Sequence, residues 1–132
     1  MGYAISTTID QSFDEALSAV RAALTEQGFG VLTEIDLAAT LKKKLDVAIA
    51  PEVILGACNP PFAHRALLAE PSICVLLPCN VVVRSADDGR TVVEAIDPAT
   101  MIGVTGNPAL AEVTGEVAAR LRTVIGSLGS TV

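Results

Sequence analysis

The hydrophobic positions change their period several times along the chain, and each change marks an element. Tyr3–Ile9 alternates, with Tyr3, Ile5, Thr7 and Ile9 on one face, which predicts a strand. The period lengthens after Ser12-Phe13-Asp14-Glu15, a capping-box pattern in which the Ser12 hydroxyl and the Glu15 carboxylate satisfy each other's orphan amides. The helix opened there carries Phe13, Ala16, Leu17, Val20, Ala23 and Leu24 on one stripe and stops near Gly28. Gly30–Ile35 returns to strand, expected to pair with the first strand or to lie one strand away. Asp36 can cap a shorter helix with Leu37, Leu41 and Leu45 facing inward. Lys42-Lys43-Lys44 falls in its last half, where positive charge suits the helix dipole.

Glu52–Ala57 supplies another strand, which ends at Cys58-Asn59. Pro60-Pro61 fits a helix N-terminus, and the helix over Ala63–Ala69 is closed by Pro71. Pro71–Val83 is apolar or Pro apart from Ser72 and Asn80. It is too short to cross a membrane and too β-branched to favour a helix. It reads as a buried central strand interrupted at Pro78, with Cys74 packed in the core and Cys79-Asn80 presented just past the break. Val81–Val83 runs on to Arg84, Asp87-Asp88-Gly89 signals a hairpin, and Thr91–Ile96 returns antiparallel. Ala99–Thr105 fits a short strand or a loop. Asn107-Pro108 then opens a long final helix with Leu110, Val113, Val117, Leu121, Val124 and Leu128 on its stripe.

Helices and strands alternate early and a hairpin follows, which predicts an α+β fold in a single compact domain spanning residues 1–132. Its sheet is expected to be mixed but largely antiparallel, with helices packed mainly on one face. A one-faced sheet this apolar would leave Val and Ile side chains exposed, so a homodimer formed through the other face or through a helix is expected.

Composition changes this picture in three ways. Half of the residues are apolar but only 3% are aromatic, so the core is built from Val, Leu, Ile and Ala. A formal charge of −6, with no basic patch interleaved with aromatics, argues against nucleic acid and anionic membranes as partners. The N-terminus lacks a basic segment followed by an apolar one, so no signal peptide is expected. The location implied is cytoplasmic, where Cys58, Cys74 and Cys79 stay free thiols.

The chemically distinctive features are the two Cys-Asn corners, Cys58-Asn59 and Cys79-Asn80, each at the end of an apolar run. His64, the sole histidine, falls in the first turns of a helix. Cys58, Cys79 and His64 could hold a soft metal, since thiolate and imidazole suit zinc or monovalent copper. The two thiols could also form a redox pair or a Cys–His nucleophile. Cys58 and His64 are six residues apart with two prolines between them, which matches no general metal or catalytic signature. Each residue also has a structural reading: the thiols as small buried hydrophobes, His64 as a surface or capping residue, Asn59 and Asn80 as backbone ties. Arg65 and Glu34 could pair with each other or hold an anion, and Glu112 and Glu116 read as a solvated pair on the last helix.

Three motifs in order, Val31-Leu32-Thr33-Glu34-Ile35-Asp36, Leu55-Gly56-Ala57-Cys58-Asn59-Pro60 and Leu76-Leu77-Pro78-Cys79-Asn80-Val81-Val82-Val83, closely resemble the prokaryotic family named domain of unknown function 302. Ala63-His64-Arg65-Ala66-Leu67 and Asp97-Pro98 also fit its pattern. The resemblance implies a sheet flanked by helices, often seen as a dimer, and brings no established activity or cofactor. It selects Cys58, Asn59, His64, Cys79 and Asn80 as candidate site residues. Three functions follow as alternatives. The first is a dimeric module binding a small ligand or metal at the two corners. The second is a thiol redox protein or enzyme using Cys58 or Cys79, and the third an interaction module with no small-molecule site.

Overall fold

The computed structural model describes residues 2–128. Five strands form one sheet: β1 (Ala4–Ile9), β2 (Gly30–Asp36), β3 (Glu52–Cys58), β4 (Cys79–Ser85) and β5 (Thr91–Ile96). Five α-helices accompany them: α1 (Phe13–Glu26), α2 (Leu37–Leu45), α3 (Pro60–Ala69), α4 (Thr100–Thr105) and α5 (Ala111–Gly126). The sheet order is β1-β5-β4-β3-β2, and every pairing is antiparallel. β4 is therefore central. The first two strands, expected to pair or to lie one strand apart, instead occupy opposite edges of the sheet. The connecting helix α1 spans the sheet between them, and β1 pairs instead with β5.

Strand alternation divides the sheet into two faces. Val53, Leu55 and Ala57 of β3, Cys79, Val81 and Val83 of β4, and Thr91, Val93 and Ala95 of β5 are all buried. Against them pack Ala16, Val20 and Leu24 of α1, and Val113, Val117, Leu121 and Val124 of α5. The intervening residues Ile54, Val82 and Val92 are half-buried on the other face. There a polar row crosses three strands: Ser6 Oγ donates to Glu94 at 2.8 Å, and Arg84 donates to Glu94 at 3.1 Å. The Ser6 hydrogen bond and the Arg84 guanidinium hold the Glu94 carboxyl below its usual range.

The end signals form as the sequence predicts. Ser12 and Glu15 complete the capping box of α1. Asp36 Oδ1 accepts from the Ala39 amide at 2.9 Å, and Asn107 Oδ1 accepts from the Ala109 amide at 2.9 Å. Asn107 begins a 3-10 turn over Pro108–Leu110 that feeds α5. Ala99–Thr105, expected as strand or loop, is the short helix α4, ended by Gly106 at a φ of 67°.

Two apolar stretches depart from expectation. Pro71–Val83 is not a strand broken in the middle: Ile73–Leu76 is a 3-10 turn, and strand begins only at Cys79. A three-residue period puts Ile73 and Leu76 on the same side, toward the core, and turns Cys74 and Val75 outward. Ile73 is fully buried while Val75 is 85% exposed, and Cys74 is exposed rather than packed in the core. In α2, Leu37 and Leu41 are half-buried, but Leu45 is 66% exposed and no residue of the helix is buried. α2 follows the edge strand β2, beyond the reach of the larger helices that close the core.

Candidate functional site

The two cysteine corners meet because β3 and β4 are hydrogen-bonded neighbours, with Ala57 opposite Cys79. Cys58 is the last residue of β3 and Cys79 the first of β4, so both stand at one end of the strand pair. Beside this end lies a cavity of about 40 Å³, floored by Ala57, Cys58 and Cys79. Phe62 and Ala66 of α3, Met101 of α4, and Val113, Thr114 and Val117 of α5 wall it. Pro78 and the buried Asn59 also line it.

Three of the five candidate residues thus line one cavity: Cys58, Asn59 and Cys79. Asn80 does not. Side chains of successive strand residues point to opposite faces, so Asn80 follows the buried Cys79 onto the other face, where it is exposed. His64 is also outside the cavity, exposed on α3. Among the described residues, no group of three or more His, Cys, Asp or Glu side chains could hold a metal ion. The proposed metal set of Cys58, His64 and Cys79 is therefore not assembled.

Burial sets the chemistry of the thiols. Cys79 is pushed up to about 11 by removal from water, with the nearby Cys58 adding repulsion. Cys58 is raised as well, by burial first and by Cys74 second. Desolvation disfavours the charged form, so both thiols stay protonated at neutral pH. A protonated thiol in such a place is a soft, weakly polar lining atom and a poor nucleophile.

Asn59 is almost fully buried at the residue preceding α3, but its side chain does not cap that helix. Its Nδ2 instead donates to the Gln27 carbonyl at 3.2 Å, tying the end of α1 to the corner after β3. Gly28 makes this approach possible. It has a φ of 85°, and a Cβ there would stand 3.1 Å from Asn59 Nδ2.

Two residues around the α3 wall, Phe62 and Arg120, were not singled out by the sequence. The Phe62 ring lies beneath two guanidinium groups, with Arg65 at 5.5 Å and Arg120 at 5.2 Å from its centroid. Arg65 bridges Glu112 at 3.1 Å and Glu116 at 2.6 Å, so those exposed glutamates share a cation and Arg65 does not meet Glu34. Glu34 pairs with Arg21. Arg120 Nη1 donates to the same Gln27 carbonyl that Asn59 holds, at 3.1 Å. Phe62 had a signal in the sequence: it is one of only three phenylalanines and stands three residues past Asn59. Arg120 had none, because its partners come from α1 and α3.

The chain was compared with known proteins. The family described as Domain of unknown function DUF302 matches residues 5–128. No curated protein matches the chain. A solved structure described as an uncharacterized conserved protein DUF302 from Bacillus stearothermophilus superposes with a TM-score of 0.89 at 27% identity. The match covers 96% of this chain and 98% of that one. With the family matched over nearly its whole length and the same fold in a solved relative, the chain belongs to the DUF302 family.

Proposed function

We propose that the protein is a small-ligand-binding module, with its site at the cavity where the β3 and β4 ends meet α3, α4 and α5. The observation that carries this reading is the convergence of Cys58, Asn59 and Cys79, from two separate sequence motifs, on one apolar cavity. A few specific polar groups within an apolar concavity are what small-molecule sites require. The cavity's size limits the occupant. About 40 Å³ admits the apolar end of a molecule and not a dinucleotide or a haem. Binding rather than thiol catalysis is favoured because burial keeps Cys58 and Cys79 protonated.

The same reading places the module in the cytoplasm, a reducing compartment that suits three free cysteines. It also makes the protein a homodimer, which would cover the apolar side chains left exposed around β2 and α2.

The test is an amide-shift titration of isotope-labelled protein with 1-butanol. Saturable shifts should centre on Cys58, Ala63, Cys79 and Val117, and Ala63→Leu, which enlarges a side chain that lines the cavity beside Phe62, should abolish them. Weak shifts scattered over the surface, unchanged by Ala63→Leu, would overturn the assignment.

A further inference from the structure

We infer that the ligand is an amphiphile with a short apolar tail and an anionic head group. On this assignment the tail enters the cavity and the head lies beyond Phe62, at Arg120. The inference rests on the cavity being a ligand site and adds the chemistry of what it takes. A second hollow adjoins the first across the Phe62 ring, lined by Gln27, Phe62, Glu116, Ala119, Arg120 and Thr123. The two differ in character. Each holds a carboxamide and a hydroxyl, but the inner one is otherwise walled by alkyl, aromatic and thiol groups, whereas the outer one adds the charged groups of Arg120 and Glu116. One molecule lying across both must be apolar at one end and polar at the other.

The charge of the head group follows from how the ions around Phe62 are paired. Glu116 shares the outer hollow, but its carboxylate is engaged by Arg65 at 2.6 Å, and Arg65 holds Glu112 too. Among the described residues, no carboxylate forms an ion pair with Arg120. Its contacts are the neutral Gln27 carbonyl and the face of Phe62. The Gln27 carbonyl occupies Nη1, and a guanidinium has five N–H donors in a planar fork that matches the oxygens of a carboxylate or phosphate. The Gln27 and Phe62 contacts also orient the group before any ligand arrives. Thr123, one turn beyond Ala119 on α5, also lines the hollow, but its hydroxyl donates to the Ala119 carbonyl at 3.1 Å, which leaves Arg120 as the donor to an anion.

Calorimetric titration of the intact protein with four ligands of one chain length tests this: butanoate, butyl phosphate, 1-butanol and butylamine. Both anions should bind about tenfold more tightly than the alcohol, the size expected of one charge-assisted hydrogen-bonded contact, and the amine should bind least. Arg120→Gln, at an exposed position, should remove the preference of the anions over 1-butanol. Whichever of butanoate and butyl phosphate binds more tightly identifies the head group. Equal binding of alcohol and anions would overturn the anionic head while leaving the cavity as a site. An Arg120→Gln protein that keeps the preference would overturn Arg120 as its holder. Failure of all four ligands to bind would overturn the cavity reading and this inference together.

Discussion

At the scale of single residues, the two Cys-Asn doublets look alike in sequence and behave differently in space. Asn59 has left the strand and lines the cavity with Cys58, whereas Asn80 is the second residue of β4 and takes the opposite face from Cys79. The two-residue period of a strand was enough to predict that Cys79 and Asn80 could not share a pocket. What no periodicity shows is the burial that raises Cys79. Its thiol is protonated up to about pH 11 in the folded protein, against about 9 in the unfolded chain, so between those values the folded state holds a proton that the unfolded state has lost. Stability is therefore complete below about pH 9 and falls as pH rises toward 11, by about 2–3 kcal/mol in total. Denaturant unfolding at pH 8 and pH 10.5 should show this loss, and Cys79→Ala should remove most of it. Alkylation at neutral pH should label the exposed Cys74 first, Cys58 slowly and Cys79 only on unfolding. Rapid labelling of Cys79 in the native protein would speak against its buried state.

At the scale of elements, most of the pattern was readable from hydrophobic spacing and caps: β1, α1, β3, the β4–β5 hairpin and α5 all lie where their periodicity put them. The stretch over residues 71–78 was not readable, because a run of apolar residues has no period to distinguish a strand from a turn that buries every third side chain. Close packing between elements was equally hidden. Gly56 in β3 has Thr33 of β2 on one side and Pro78 on the other, so a Cβ there would stand 2.3 Å from Thr33 Oγ1 and 2.9 Å from Pro78 Cγ. Gly56→Ala should destabilise the protein by about 1–3 kcal/mol, the usual range for overpacking. Adding Thr33→Ala should recover only part, because the Pro78 ring cannot rotate away. Full recovery in thermal unfolding of the double variant would show that Pro78 yields.

At the scale of the whole molecule, the sheet is covered well at its centre and thinly at the β2 edge. Leu32 and Ile35 of β2, Leu45 of α2, and Val47 and Ile49 after it are all exposed, and neither β2 nor α2 contributes a buried residue. Patches of this kind on a folded chain commonly mark an interface. In the proposed dimer, native mass spectrometry should find two subunits for the unaltered protein, and Leu45→Asp should shift it to one without unfolding it. A monomer in both cases would argue that this edge meets something other than a second copy.

The strand order also bears on how the chain is made. β1 begins at Ala4, and among the described residues it pairs with β5 alone, whose last residue is Ile96. Pairings so distant in sequence form late, because the intervening chain must be brought together first. During synthesis from the N-terminal side, β1 has no partner in this sheet until Thr91–Ile96 has been made. A chain stopped before Thr91 would be left with an open edge at β4, the strand that should lie at the centre.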